Sequence, residues 1–270
     1  MILGAQKCAT TTLFDMLTRA DIIAKVALKE PHFFSTTEDW ARNIEDYHMI
    51  FDRRSTSIFC EASTSYTFFP HRKDRIWDDI HAYNPEMKMI YLVRNPVDRI
   101  TSQYKHVVSR GYYSGSLESF ITESPLPIDI SRYHTQIRPY IDRFGRDRVL
   151  ILDFSDFIER RESTLQEIAD FLDVDFRVLR DVGPVHSNDM SSARGHYRFD
   201  RPGLFLRMAR KASPGTWRAI VRRFSPSPPL AAEMSADRKR LILEVLEPEI
   251  AGMEGLMGKD LSEWRTGKAT

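Results

Sequence analysis

The chain opens on a short apolar segment, a polar loop and an amphipathic helix, and this order constrains the fold more than any other feature. Residues 1–3 are apolar and suit a buried strand, which Gly4 ends. Apolar side chains then recur at helical spacing, at Leu13, Met16, Leu17 and Ala20. Backbone N–H groups and the positive end of the helix dipole converge on a loop between a strand and a helix. The opening therefore predicts a site for an anion.

Strands and helices alternate along the rest of the chain. Apolar runs predict strands at residues 57–61, 87–93 and 148–152. Amphipathic spacing predicts a helix that begins at Pro96 and further helices at residues 75–83, 133–144, 163–172 and 236–246. Such alternation is typical of a parallel sheet covered on both faces. We therefore expect an α/β fold with a central parallel sheet flanked by helices and a P-loop-like phosphate-binding strand–loop–helix.

Length and composition suit one domain. The chain has 270 residues, of which 42% are hydrophobic and 29% charged, and this is enough to build a packed core. We expect a single domain over residues 1–270. It would carry a basic helical insertion at about residues 196–224 and a Pro-rich connector at residues 225–229.

The loop at residues 4–12 differs from the phosphate loop of kinases. That loop reads Gly-x-x-x-x-Gly-Lys-Ser/Thr, but here Ala9 stands in place of the second glycine and Thr10 in place of the lysine. The lysine has moved to Lys7. The shift disfavours an ATPase, a GTPase or an ATP-dependent kinase, because no residue then holds the β- and γ-phosphates and Mg²⁺ in the usual manner. Taken alone, the loop also fits an ordinary strand–helix turn with a surface lysine.

Several segments in matching order resemble the PAPS-dependent sulfotransferases, especially the heparan sulfate and bacterial carbohydrate branch (PAPS is 3'-phosphoadenosine-5'-phosphosulfate). Residues 4–13, Gly-Ala-Gln-Lys-Cys-Ala-Thr-Thr-Thr-Leu, are similar to the 5'-phosphosulfate loop of that family. Residues 29–34, Lys-Glu-Pro-His-Phe-Phe, and residues 61–66, Glu-Ala-Ser-Thr-Ser-Tyr, resemble two further family segments. Residues 91–104 resemble its 3'-phosphate element, and residues 246–264 its closing pattern.

The resemblance implies a donor and a set of residues that bind it. PAPS carries a 5'-phosphosulfate and a 3'-phosphate, and its sulfuryl group is transferred by in-line displacement, with charge building on the leaving phosphate oxygen. Lys7 is expected at that oxygen. The other implied donor-binding residues are Gly4, Cys8, Ala9, Thr10, Thr11 and Thr12 at the 5' end, Arg94 and Ser102 at the 3'-phosphate, and Arg194 and Gly195 in a late closing loop. Without the resemblance, Arg94 and Ser102 would be interpreted as a helix-start salt bridge and a solvated hydroxyl.

Glu30 is the implied general base, because the acceptor hydroxyl loses its proton as it attacks and a nearby carboxylate can take it. His32 either orients Glu30, contacts the acceptor or is a structural histidine. The implied catalytic set is therefore Glu30, Lys7 and His32. Position 62 departs from the family: Ala62 stands where the family often has a lysine that positions acceptor or sulfate. This departure weakens the case for a heparan-type acceptor.

The implied partner is a hydroxyl-bearing acceptor, a carbohydrate or a glycolipid. The alternatives are a P-loop-type ATP-dependent kinase and a non-catalytic nucleotide- or glycan-binding protein on the same fold. Residues 194–223 hold nine Lys and Arg against one acid. We expect the region at 204–224 to pack its apolar faces on the core, and peripheral membrane contact is the alternative. No groove-reading motif points to nucleic acid.

Cysteine and histidine usage bears on compartment and metals. Cys8 and Cys60 form no Cys-x-x-Cys pair, and the eight histidines lack metal-ligand spacing, so we expect no metal and no disulfide framework. A reducing, cytoplasmic setting follows from this usage. No signal peptide is expected, since Met1 leads straight into a strand, while an anchor upstream of this sequence stays open. The sequence identifies neither the acceptor nor the oligomeric state.

Overall fold

Three parallel strands form the centre of the protein. In the computed structural model they are β1 (Ile2–Gly4), β2 (Met89–Val93) and β3 (Val149–Asp153), in the spatial order β1-β2-β3. These three strands run parallel, and β2 and β3 pair without a break along their whole length. Every strand residue is buried, as is typical of a parallel sheet with helices on both faces.

The structure describes residues 1–20, 23–24, 28–51, 58–181 and 233–266. Over these residues the helices are α1 (Thr10–Leu17), α2 (Phe33–Thr36), α3 (Ile44–His48), α4 (Ile76–Tyr83), α5 (Pro96–Ser109), α6 (Leu117–Thr122), α7 (Leu126–Asp129), α8 (Tyr133–Phe144), α9 (Phe154–Glu159), α10 (Arg161–Leu172), α11 (Phe176–Arg180), α12 (Ala236–Met257) and α13 (Ser262–Thr266). Short 3₁₀ turns occupy Thr64–Thr67 and Arg146–Arg148. Within these ranges, none of the helices combines the length and the apolar character needed to span a bilayer.

The start of α5 is fixed by its own sequence and by the end of the chain. The side-chain oxygen of Asn95 accepts the N–H groups of Val97 and Asp98, and Pro96 occupies the first turn, a position that tolerates the missing N–H. The Asn95 amide nitrogen also donates to the carbonyl of Trp264 in α13, at 3.4 Å. The turn after β2 is therefore held from two sides.

A buried carboxylate fastens α12 to the start of α8. Glu249 accepts the N–H of Thr135 at 2.9 Å and its hydroxyl at 2.6 Å. Thr135 lies in the first turn of α8, where backbone N–H groups lack partners within the helix. The contact joins α12, in the C-terminal part of the chain, to α8, which packs against β3.

The predicted α/β fold with a central parallel sheet is confirmed. The helices predicted at 75–83, 133–144 and 163–172 are present within two residues of those bounds, and α12 extends well beyond the predicted end at residue 246. The strand predicted at 57–61 is wrong in extent. In the described part of that segment, Ile58 forms only an isolated bridge to Ile23, and Ala62, one residue beyond it, forms another to Ile2. The backbone bonds here go to different neighbours, since the N–H of Ile2 donates to the carbonyl of Glu61 and the N–H of Ala62 to the carbonyl of Lys29.

Candidate active site

Gly4 brings the loop close to the sheet. Its φ is +154°, and a Cβ there would lie 2.5 Å from Oγ1 of Thr67 and 3.2 Å from the ring of Tyr91. A side chain at this position would therefore force its neighbours to move. The N–H of Ala5 donates to the carbonyl of Leu92 at 2.7 Å. The loop thus begins at the carboxyl ends of β1 and β2, the edge where parallel sheets bind ligands.

The loop enters α1 through two residues with positive φ. Lys7 has φ 71° and Ala9 has φ 65°. The first bond of α1 runs from the N–H of Leu13 to the carbonyl of Ala9, at 3.0 Å. The N–H groups of residues 10–12 therefore have no helical partners and are available to an anion. The three threonines occupy the first turn and make no side-chain cap, and the left-handed Ala9 is the N-cap.

Lys7 lies half-buried among other cations. Burial is the largest cause that lowers the pKa of its ammonium, and the neighbouring charges of Arg110, Lys29 and Arg94 lower it further. A group surrounded in this way gains from a bound anion, because the anion offsets both the desolvation and the repulsion. The predicted phosphate loop therefore has the charge that a phosphosulfate needs.

Cys8 points away from this region. Its side chain is fully buried, and Sγ lies 4.0 Å from the hydroxyl of Tyr133. Burial raises the pKa of the thiol to about 11, so the group stays neutral and packs as a small apolar side chain. Its backbone N–H also has a partner, since it donates to the carbonyl of Ala5 at 3.2 Å.

Arg94 follows β2 and is oriented by aromatic side chains. The hydroxyl of Tyr133 donates to its carbonyl at 2.8 Å, and its guanidinium carbon lies 4.4 Å from the centre of the Phe154 ring. Its Nε is buried and, among the described residues, has no hydrogen-bond partner. A buried donor without a partner is costly, and a phosphate oxygen would satisfy it. Arg94 thus fits an anionic ligand.

Ser102 and His106 in α5, and Arg110 directly after its last residue, follow one another at i+4 spacing and are all half-buried. Such spacing places side chains on one face of a helix. His106 was not singled out from the sequence. Burial lowers the pKa of its imidazole to about 4, and the charges of Lys7 and Arg110 contribute, while Glu30 opposes them. His106 is therefore a neutral group whose pKa responds to the charge of the loop lysine, and its spacing from Ser102 was the available signal.

Glu30 is joined to the phosphate loop by its neighbour. The ammonium of Lys29 donates to Oε1 of Glu30 at 2.7 Å and to Oγ1 of Thr11 at 2.9 Å. The Glu30 side chain is 20% exposed, so it remains open to an incoming group. The Lys29 ammonium therefore bridges the candidate base and the first turn of α1.

His32 contacts Glu30 and is held on its other side. Nε2 lies 3.4 Å from Oε2 of Glu30, and Nδ1 lies 2.7 Å from Oγ of Ser65. Burial lowers the pKa of His32, followed by the charges of Arg72 and Lys29, whereas Glu30 raises it. Of the three hypotheses for His32, this geometry agrees with a residue that orients Glu30.

The Glu61 carboxyl is buried and has its own hydrogen-bond partners, separate from those of Glu30. Ser63 donates to Oε2 at 2.8 Å and Tyr47 to Oε1 at 3.4 Å. Burial raises the pKa of this carboxyl to about 7. Next to it, Ala62 is fully buried and supplies no charge. The N–H of Ala62 donates to the carbonyl of Lys29 at 3.1 Å, so a lysine precedes the candidate base on this side of the site.

Several predicted features lie outside the described residues: Arg194 and Gly195, the basic region at 196–224 and the connector at 225–229. In the part of the chain that the structure does describe, there is no cluster of three or more His, Cys, Asp or Glu side chains suited to a metal ion.

Relatives of the chain are sulfotransferases. Carbohydrate sulfotransferase 15 of Mus musculus is 22% identical over a match covering 64% of this chain and 43% of the relative. Heparan sulfate glucosamine 3-O-sulfotransferase 5 of Mus musculus is 32% identical over 40% of this chain and 30% of the relative. The chain thus spans less than half the length of either relative.

A solved structure and a family model match much more of the chain. The crystal structure of a sulfotransferase from Alicyclobacillus acidocaldarius superposes with a TM-score of 0.68 at 25% identity, covering 98% of this chain and 97% of that one. The family model described as the sulfotransferase domain matches residues 1–201, which include the loop, Glu30, Arg94 and the whole sheet. The chain therefore belongs to the sulfotransferase domain family.

Proposed function

We propose that this protein transfers a sulfuryl group from PAPS to a hydroxyl group of a carbohydrate. The observation that carries the proposal is the proximity of Glu30 to the phosphate loop, since Lys29 contacts both Glu30 and Thr11 within 3 Å. A candidate base beside an anion-binding loop is what transfer from a phosphosulfate to a hydroxyl requires. Membership of the sulfotransferase domain family supports the same reaction.

Two anion-binding positions suit the two ends of the donor. The loop at residues 4–12 would hold the 5'-phosphosulfate through the N–H groups of the first turn of α1 and through Lys7. Arg94, with its buried Nε lacking a partner among the described residues, would hold the 3'-phosphate, with Ser102 on the adjacent helix. PAPS supplies the activated sulfuryl group, and the chain supplies charge and orientation.

The residues divide the chemistry between them. Glu30 would accept the proton of the acceptor hydroxyl as its oxygen forms a bond to sulfur. Lys7 would stabilise the charge on the phosphate oxygen as the bond between that oxygen and sulfur breaks. Removal of one preorganised contact of this kind costs ~10²–10³ in rate. His32 would keep the Glu30 carboxylate turned towards the acceptor.

The names of the relatives support the proposed acceptor class. Those reported above carry carbohydrate and heparan sulfate in their names, so we propose a carbohydrate hydroxyl, either free or in a glycolipid. Peripheral membrane contact and a cytoplasmic location remain expectations from the sequence.

The test is transfer of ³⁵S from labelled PAPS to a panel of glycans, glycolipids and small alcohols. We expect label on at least one carbohydrate and loss of most of that label with Glu30→Gln. Glu38→Gln is the matched control, because Glu38 is exposed and lies beyond α2. Isothermal titration should show binding of the product PAP (3'-phosphoadenosine-5'-phosphate) without metal. Preferential binding of ATP–Mg²⁺ would favour the kinase alternative, and PAP binding without transfer to any acceptor would favour a non-catalytic binder.

A further inference from the structure

The ammonium of Lys29 lies where the donor side and the acceptor side of the candidate site meet. It is 2.9 Å from Oγ1 of Thr11, in the first turn of α1, and 2.7 Å from Oε1 of Glu30. The side chain is 22% exposed, so part of it is open to a ligand. Lys29 thus contacts both the phosphate loop and the candidate base.

An ammonium has three N–H donors, and within the described residues Thr11 and Glu30 take two of them. The remaining donor is available to a ligand that lies between these partners. The charge of Lys29 also reaches the other side chains of the site, since it lowers the pKa of both Lys7 and His32. The position and charge of Lys29 thus allow it to act on the sulfuryl group that passes from donor to acceptor.

We propose that Lys29 is a catalytic residue that donates a hydrogen bond to a non-bridging oxygen of the sulfuryl group during its transfer. The proposal rests on the proposed function, because it takes the loop as the phosphosulfate site and Glu30 as the base. It assigns Lys29 to the sulfuryl oxygens and leaves Lys7 to the bridging oxygen. The fully buried Ala62 beside the Lys29 backbone adds no second cation there.

The step balances without a proton from Lys29. The acceptor oxygen forms a bond to sulfur, and its proton passes to Glu30. The bond between sulfur and the bridging oxygen breaks, and its electron pair stays on the phosphate of PAP. Lys29 remains protonated throughout and stabilises the negative charge spread over the sulfuryl oxygens.

Comparison of PAPS with PAP tests the proposal, because PAP lacks the sulfuryl group. We would measure the affinity of both nucleotides by isothermal titration without acceptor. For Lys29→Met we expect PAPS to bind about tenfold more weakly, while PAP affinity changes less than about threefold. The rate of ³⁵S transfer at saturating PAPS should fall ~10²–10³. Lys29→Arg keeps the charge and should recover most of the PAPS affinity.

The control is Lys88→Met, which makes the same change before β2, at the opposite end of the strands; both affinities should stay as in the unmodified protein. Equal weakening of PAPS and PAP by Lys29→Met would overturn the proposal, since Lys29 would then act on the loop. Unchanged PAPS affinity with a slower, pH-shifted reaction would also overturn it, because Lys29 would only tune Glu30. Failure of the unmodified protein to bind either nucleotide would instead refute the proposed function itself.

Discussion

The guanidinium carbon of Arg94 lies 4.4 Å from the centre of the Phe154 ring. The two residues follow β2 and β3, so the contact links adjacent strand ends at the ligand-binding edge. An arginine over an aromatic face is attracted by the ring quadrupole and is restricted in orientation. Phe154 therefore orients the guanidinium that we assign to the 3'-phosphate.

Replacing Phe154 should weaken the binding of nucleotides that carry a 3'-phosphate. For Phe154→Leu we expect PAP affinity to fall ~3–10-fold, because a cation–π contact contributes about 1 kcal/mol. The affinity for AMP, which lacks the 3'-phosphate, should stay unchanged. Titration calorimetry with both nucleotides makes the measurement.

Phe176→Leu is the control for this prediction. The guanidinium carbon of Arg180 lies 5.9 Å from the centre of the Phe176 ring. The Phe176→Leu substitution therefore removes a similar cation–π pair away from the strand ends, and PAP affinity should not change. An equal loss of PAP and AMP affinity for Phe154→Leu would show that Phe154 acts on the adenosine or on the fold.

His106 should remain uncharged throughout the neutral range. Its pKa is about 4 because of burial first and of the charges of Lys7 and Arg110 next. Removing one of these cations favours the imidazolium, so Lys7→Met should raise the pKa of His106 while burial keeps it below the ordinary value of 6.5. NMR titration of the imidazole resonances, assigned with His106→Gln, makes the measurement.

Lys88→Met should leave the His106 titration as it is in the unmodified protein. A midpoint near 6.5 before any substitution, or no response to Lys7→Met, would contradict the burial of His106 or the effect of the Lys7 charge on it.

Local patterns were enough to predict β1, β2, β3 and the loop after β1, but they also predicted a strand at 57–61 of which only an isolated bridge at Ile58 is present. Residues 1–20 show their strand, loop and helix within one short segment, and the apolar runs of β2 and β3 are bounded by polar residues. The contacts that define the site join distant segments. Neither the Lys29–Thr11 bond nor the Arg94–Phe154 contact has a spacing in the sequence that would predict it. His106 could have been predicted as a site residue, since it follows Ser102 by one helical turn.

Glu61 should make the protein less stable as the pH rises. Its folded pKa of about 7 exceeds its ordinary value of 4.5, so the folded state binds the proton more tightly. This contribution is complete below pH 4.5 and is lost as the pH rises through about 7. Glu61→Gln carries a neutral group at every pH. Between pH 5 and pH 8 the unmodified protein should therefore lose about 2 kcal/mol more of its free energy of unfolding than the Glu61→Gln variant does.

Urea unfolding at several pH values between 5 and 8 measures this difference. Glu38→Gln serves as the reference, because Glu38 is exposed and its substitution should leave the pH dependence unchanged. If the Glu61→Gln curve ran parallel to that of the unmodified protein, Glu61 would have to be ionised in the fold.

Gly4 and Gly255 should respond to alanine in opposite directions. At Gly4, φ is +154° and a Cβ would lie 2.5 Å from Oγ1 of Thr67, so Gly4→Ala should lower the free energy of unfolding by about 2 kcal/mol and displace the loop, with loss of PAP binding. At Gly255, within α12, a Cβ would meet nothing within 4 Å. Gly255→Ala should therefore raise the free energy of unfolding by about 0.5–1 kcal/mol, because alanine has the higher helix propensity. Urea unfolding and PAP titration of both variants make the measurement. Normal PAP affinity in Gly4→Ala would show that the loop accepts a side chain at the point where it leaves β1, against the geometry from which the phosphate site is argued.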